Sequence, residues 1–309
     1  MSTCLALLRV QEIGWSERFD LFHHQITAAL VAGLVCPLVG CWLLVRRTSF
    51  YGITLPQFAT AGVVFGFMIL PWWIGAVGLG GLTIDAALSD SHAAINYHLA
   101  WASAFTFGGL LLLVWLGRRG VGSEIGRVAA SFAIASAATV IFGRLAPAGR
   151  SFVDELLSGE ILGVGVHELE VLSSFYGLVL VLLVLFRHDF LLVSFDRDLA
   201  FVLGKRVTLL ELLLISITGV TVAVGTMVFG PTLLFGLLVV PPLVARRWAS
   251  SMTSFHGLAA LLGVLSVVAG VLASFEFDLP LGAAIVGASA VMLLPGPLAG
   301  AFARRAPSI

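Results

Sequence analysis

Four arginine pairs, Arg46-Arg47, Arg118-Arg119, Arg246-Arg247 and Arg304-Arg305, each close a long apolar stretch of this chain. Arginine beside a membrane span is retained on the cytoplasmic side. Four pairs on one side require an even number of spans between each pair and the next. The intervening stretches have room for an even number of spans each time. Only a multi-span membrane protein satisfies that pattern, and apolar runs of about 20 residues select helices over a barrel. The expected fold is an all-α bundle of about nine transmembrane helices, with eight to ten allowed.

Charge distribution carries the orientation. Of the 17 Lys and Arg, 13 fall on the side of the pairs and four (Arg9, Arg18, Arg144, Arg150) on the other. The acids divide 5 to 12 in the opposite sense, a weaker signal in insertion. The N-terminus is therefore expected outside and the C-terminus in the cytoplasm. A formal net charge of zero argues against nucleic acid as a partner. Charged residues make up 11% of the chain, against about 25% in soluble domains.

Residues 1–24 mix polar and apolar side chains and read as an outer interfacial segment. Met1–Val10 has a short apolar core and no basic flank, so it is not read as a signal peptide. Residues 25–295 form the membrane domain and 296–309 a cytoplasmic tail. Spans one to five are expected at Gln25–Val45, Gln57–Leu79, Leu99–Gly117, Ile125–Leu145 and Val171–Phe186. From Leu212 to Ala245 no charge appears for 34 residues, more than one span and short for two. Gly230-Pro231 marks the expected turn, and Pro241-Pro242 should break the returning helix. Spans eight and nine are expected at Gly257–Phe275 and Leu279–Leu294.

Chemistry is first a matter of absences. There is no GxxxxGK[ST] loop, so the chain does not itself bind ATP in the usual way. No GxSG-like serine sits in a span, and buried carboxylates for a proton relay are lacking. Cys4, Cys36 and Cys41 follow no metal or redox spacing and read as small apolar residues. The longest charged region is 187–211. Within it, Leu199, Phe201, Val202 and Leu203 stand among Asp196, Asp198, Lys205 and Arg206, a short amphipathic helix ended by Gly204. Such a helix either lies on lipid headgroups or fits a groove on a partner protein.

The run Asp198-Leu-Ala-Phe-Val-Leu-Gly204, then a long span, Leu237-Leu-Val-Val-Pro-Pro242 and Ala245-Arg-Arg247, resembles the permease subunit of zinc/manganese/iron (ABC-3 type) metal ABC importers. Three further stretches are similar to that family: Pro37–Gly52, Leu156–Leu162 and the outer turn Phe277-Asp-Leu-Pro-Leu-Gly282. The resemblance covers about residues 25–295. It implies a type II ABC importer permease in the bacterial inner membrane, without catalytic chemistry or a bound cofactor. A divalent metal ion is then the transported substrate. The implied partners are a cytoplasmic ABC ATPase, an extracytoplasmic metal-binding receptor and a second permease copy or a related permease. It also assigns Asp196, Asp198, Phe201, Gly204, Lys205 and Arg206 to the ATPase interface.

One position departs from the family. Its Gly-Asp-x-x-x-His pattern offers an oxygen and a nitrogen ligand on one helix face. This chain reads Gly52-Ile-Thr-Leu-Pro-Gln57. Ile53 has no ligating atom and Gln57 is a weak neutral donor. The metal then passes other ligands such as Thr54 and Gln57, or the chain is the ligand-poor half of a heterodimer, or it carries another substrate as a secondary transporter. Asp85, Asp90, His92 and His98 share the expected outer loop, either as solvated polar residues or as a capture site for released metal.

Overall fold

The computed structural model describes residues 19, 21–46, 48, 50–77, 92–120, 123–146 and 164–293. Among these every regular element is a helix. The elements are α1 His23–Val45, α2 Tyr51–Val77, α3 His92–Arg118, α4 Glu124–Leu145, α5 Val166–Leu185, α6 Arg187–Phe195, α7 Arg197–Val202, α8 Val207–Trp248, α9 Met252–Phe277 and α10 Leu281–Val291. Seven of them are long and apolar enough to cross a membrane.

Helix α8 has 42 residues, about 63 Å if straight, twice the hydrocarbon core. It is not straight. Gly230 has φ 74° and ψ 171°, and both ends of α8 lie beside the end of α1. Glu211 pairs with Arg46 at 3.7 Å, and Val45 and Arg246 line one cavity. The two limbs, 207–229 and 231–248, therefore form a hairpin, as the Gly230-Pro231 pair led one to expect. Pro231 opens the second limb, where a missing N–H costs nothing.

The basic residues Arg46, Arg187, Arg197, Lys205 and Arg246 gather at this same end. Val114 of α3 lines a cavity with Arg46 and Tyr51, which brings the Arg118 end of α3 there too. Among the described residues Arg46, Arg118 and Arg246 thus share one end, as the parity argument expects, while Arg304-Arg305 lies outside them.

Lipid tails are as apolar as leucine, so helices associate through close packing of small residues. Helix α1 shows this. It buries Ala28, Ala29, Ala32, Gly33, Cys36 and Gly40 and packs between α8, α9 and α5. Gly33 meets Gly263 of α9, and Gly40 meets the Leu238 carbonyl of α8. Helix α2 repeats the device, Gly62 lying against the Trp101 carbonyl of α3. Buried hydroxyls close on their own helices. Thr60, Thr106, Thr139, Thr218 and Thr221 each donate to the carbonyl four residues earlier.

Helix α4 inverts the soluble pattern. It buries Val128, Ser131, Ala135, Thr139 and Gly143 and exposes Ile125, Ile134, Val140, Ile141 and Leu145. A helix whose large apolar face points outward suits hydrocarbon as its solvent.

Several boundaries differ from the sequence expectations. Helix α2 starts at Tyr51 rather than Gln57. Helix α5 starts at Val166 rather than Val171, because the Glu168 carboxylate accepts the Gly165 N–H at 3.0 Å and caps the first turn. Helix α3 starts at His92, not Leu99. Pro241-Pro242 does not break α8, which runs on to Trp248. The Leu238 carbonyl that Pro242 leaves without its helical donor is met by Gly40 of a neighbouring helix. Helix α10 has 11 described residues, about 16 Å, short of the expected span Leu279–Leu294.

Candidate functional site

The segment between α5 and α8 folds into two short helices at the basic end. Asp196 joins them. Its carboxylate accepts the Leu199 N–H at 2.9 Å, the N-cap of α7. Gly204 ends α7 with φ 74°. Its N–H donates to Phe201 O, and the Lys205 N–H to Ala200 O, each at 3.0 Å. That pair of bonds is a Schellman cap, which needs a residue at positive φ. Lys205 turns back along α6, its ammonium 2.7 Å from the Asp189 carboxylate.

This local wiring holds an apolar ridge outward. Phe201 is 75% and Val202 79% exposed, with Leu203, Leu199 and Phe195 beside them. Ala200 is fully buried and seats α7 on the bundle. An apolar surface rimmed by charge is the pattern of a surface that meets another protein or the membrane. A second linkage runs inward. Glu211, on the first turns of α8, lies 3.3 Å from Arg197 of α7 and 3.7 Å from Arg46 at the end of α1. One carboxylate thus ties the surface helix to the central helix.

Of the six residues assigned to this surface from sequence, Asp196, Gly204 and Lys205 shape it, while Phe201 projects from it. Asp198 is exposed in the first turn of α7, and Arg206 is exposed just before α8. Val202 and Leu203, which the sequence reading placed on the apolar side of this helix, stand exposed beside Phe201. That reading missed Asp189, Arg197 and Glu211. Glu211 had a signal in its position, as the sole acid at the head of a 34-residue uncharged run facing a basic cluster.

The proposed metal path is differently placed. Thr54 is fully buried, and its hydroxyl lies 3.3 Å from Val128 O of α4 and 3.4 Å from Phe50 O. It stitches α2 to α4. Gln57 is half-buried on α2, and Gly52 abuts Leu238 and Val239 of α8. Near them a cavity of about 180 Å³ lies between Trp42, Arg46, Tyr51, Leu110 and Thr218.

Asp85 and Asp90 lie outside the described residues. His92 opens α3, and His98 is buried within that helix, stacked on Phe67 at 4.1 Å. An imidazole stacked on an aromatic ring is accommodated inside a helical bundle, so the histidine does not mark a loop. Among the described residues no three His, Cys, Asp or Glu side chains come together as metal ligands.

Residues 18–299 match the ABC 3 transport family. The chain belongs to that family. Its similar proteins include "Manganese transport system membrane protein MntC" of Halalkalibacterium halodurans, 25% identical over 87% of this chain and 83% of the relative. "Chelated iron transport system membrane protein YfeD" of Yersinia pestis is 26% identical over 87% and 82%. Among solved structures, PsaBC from Streptococcus pneumoniae in complex with Fab matches with a TM-score of 0.71 at 20% identity, over 89% of this chain and 90% of that one. This likeness is one of fold. The family membership and the apolar bundle together make the chain a multi-pass membrane permease of the ABC transporter class.

Proposed function

We propose that this family member is the membrane half of an importer for a divalent metal ion, driven by a separate ATPase that docks on α6 and α7. The observation that carries the reading is the ridge Phe201-Val202-Leu203, held outward by the Asp196 and Gly204 caps and wired through Glu211 to α1. Movement of a docked partner would reach the central helix through one carboxylate and two guanidinium groups. That is a short route from a nucleotide cycle to a change of access. The basic end is then cytoplasmic, with the N-terminus outside and the C-terminus inside. An extracytoplasmic receptor would deliver the ion to the opposite end. The names of the similar proteins support manganese or iron as cargo.

The test is co-purification with candidate ATPases, followed by uptake in proteoliposomes that contain the receptor. Stable complex formation and ATP-dependent metal uptake support the proposal. Uptake that persists without ATP and collapses with an ion gradient would instead make the chain a secondary transporter.

A second reading rests on Ile53 and Gln57. With no cluster of three His, Cys, Asp or Glu side chains among the described residues, the chain would serve as the ligand-poor partner of another permease. Metal uptake by this chain alone with its ATPase and receptor, and no second permease present, counts against that.

A further inference from the structure

A second cavity at the basic end has a different character. About 220 Å³ in volume, it lies where α1, α5, α6 and the start of α9 meet, and Leu38, Trp42, Val184, Arg187, Thr253 and His256 line it. Its walls are apolar. Its charge comes from Arg187, whose Nε donates to His188 Nε2 at 3.2 Å. Asp189, one residue on, is already taken by Lys205.

Two residues that line it, Trp42 and His256, each bury a polar atom without a protein partner. Trp42 is 2% exposed, and its indole Nε1–H has no acceptor. His256 Nδ1 lies 2.8 Å from Met252 O, so that nitrogen carries the proton and Nε2 is left as a buried acceptor with no donor. The two rings are 5.1 Å apart. A buried donor and a buried acceptor left unmatched each cost free energy in a protein interior. Side by side, they call for an occupant that both accepts and donates hydrogen bonds.

We infer that this cavity binds one anionic phospholipid with a hydroxylated headgroup, of the phosphatidylglycerol class. The layers match. The phosphate meets Arg187 at the mouth. With the two rings turned toward the cavity, an ester carbonyl, deeper than the phosphate, accepts the Trp42 N–H, and the headgroup folds back past the phosphate so that a hydroxyl donates to His256 Nε2. The acyl chains run along Leu38 and Val184, the latter 62% exposed. Basic pockets between membrane helices at a charged surface are suited to such headgroups. Free phosphate would satisfy Arg187 alone and leave the apolar wall uncovered. The site stands on these contacts, and its test does not depend on the importer reading.

The experiment is native mass spectrometry of the full chain released from detergent, titrated with phosphatidylglycerol, with phosphatidylcholine of the same tails, or with inorganic phosphate. The expected result is a retained phosphatidylglycerol adduct that phosphatidylcholine does not form and phosphate does not displace. Arg187→Gln should weaken it about five-fold. Val184→Trp, at an exposed position, should block it by filling the tail groove, and Arg119→Gln should leave it intact. Equal retention of the two lipids, displacement by phosphate, or adducts unchanged in both Arg187→Gln and Val184→Trp would each overturn the assignment.

Discussion

The backbone carbonyl of Leu238 lies directly against Gly40, where any β-carbon would overlap it. Pro242, four residues on, has no N–H to satisfy that oxygen, and its ring also lines the contact. The same arrangement recurs one step along α1. Pro37 leaves the Gly33 carbonyl without its helical donor, and Gly263 of α9 comes against it. Twice, then, a proline inside a span is paired with a glycine on the neighbouring helix. Gly40→Ala should lower thermal stability, with overpacking of this kind costing about 1–3 kcal/mol. Gly257→Ala, whose β-carbon would meet nothing within 4 Å, should be neutral or slightly stabilising. Melting curves of the two variants in one detergent are the check, and equal midpoints would mean that α1 and α8 do not approach so closely.

Docking on α7 separates shape from contact. Phe201→Ala removes an exposed ring and should leave the fold within about 0.5 kcal/mol of the parent. An aromatic anchor at a protein interface contributes about 2 kcal/mol or more, so ATPase affinity should drop about thirty-fold. Gly204→Val acts otherwise, forcing a branched residue to φ 74° at a local cost of about 1–2 kcal/mol. It should weaken ATPase binding and also increase amide exchange of α7. Unchanged ATPase affinity in both variants would place the partner elsewhere.

What could be read from the sequence, and what could not, divides along the range of the interactions. The arginine pairs fixed the parity of the spans because charge beside a membrane acts on each helix end separately. Gly230-Pro231 announced its turn for an equally local reason. Pro241-Pro242 misled because the oxygen that Pro242 strands is accommodated by Gly40, about 200 residues away in sequence. His98 misled likewise. Its partner Phe67 lies on another helix, and a polar residue near a charged loop looks like part of that loop. On α7, sequence identified the ridge and its closing glycine. The Arg46–Glu211–Arg197 linkage was invisible, because three elements must fold before those charges meet.

That linkage makes its own prediction. Glu211 is about one-fifth exposed and Arg197 about two-thirds, so the pairs contribute only about 0–1 kcal/mol to stability. Glu211→Gln should therefore fold normally and still bind the ATPase through Phe201. If Glu211 relays movement from α7 to α1, uptake should nevertheless drop about five-fold or more, the scale of a typical coupling free energy. Arg197→Gln should share the defect, and the double variant should be no worse than either alone. Full uptake by Glu211→Gln would restrict the carboxylate to a structural role.

The ligand-poor stretch on α2 can be challenged by restoring what it lacks. Ile53→Asp with Gln57→His places an oxygen and a nitrogen ligand four residues apart on one helix face. If metal passes this face, uptake should rise or its preference among manganese, iron and zinc should shift, measured by isotope competition in proteoliposomes. No change in rate or preference would send the path elsewhere and favour the paired-permease reading.

The hairpin of α8 depends on a single backbone conformation. Gly230, at φ 74° and ψ 171°, occupies a region that is essentially reserved for glycine, and residues forced there carry strain of about 1–3 kcal/mol. Pro231 reinforces the turn from the other side, since the residue before a proline is disfavoured in the α region. Gly230→Ala must therefore strain the turn or straighten the chain there. Straightening would separate Glu211 and Arg246, which both ends of α8 now bring to the Arg46 end of α1. The expected outcome is a lower melting temperature together with loss of a cross-link between cysteines introduced at 211 and 246. Gly108→Ala, in α3 with open space around the added methyl, is the matched control. Parent-like stability and cross-linking in Gly230→Ala would mean that the two limbs do not turn at this residue.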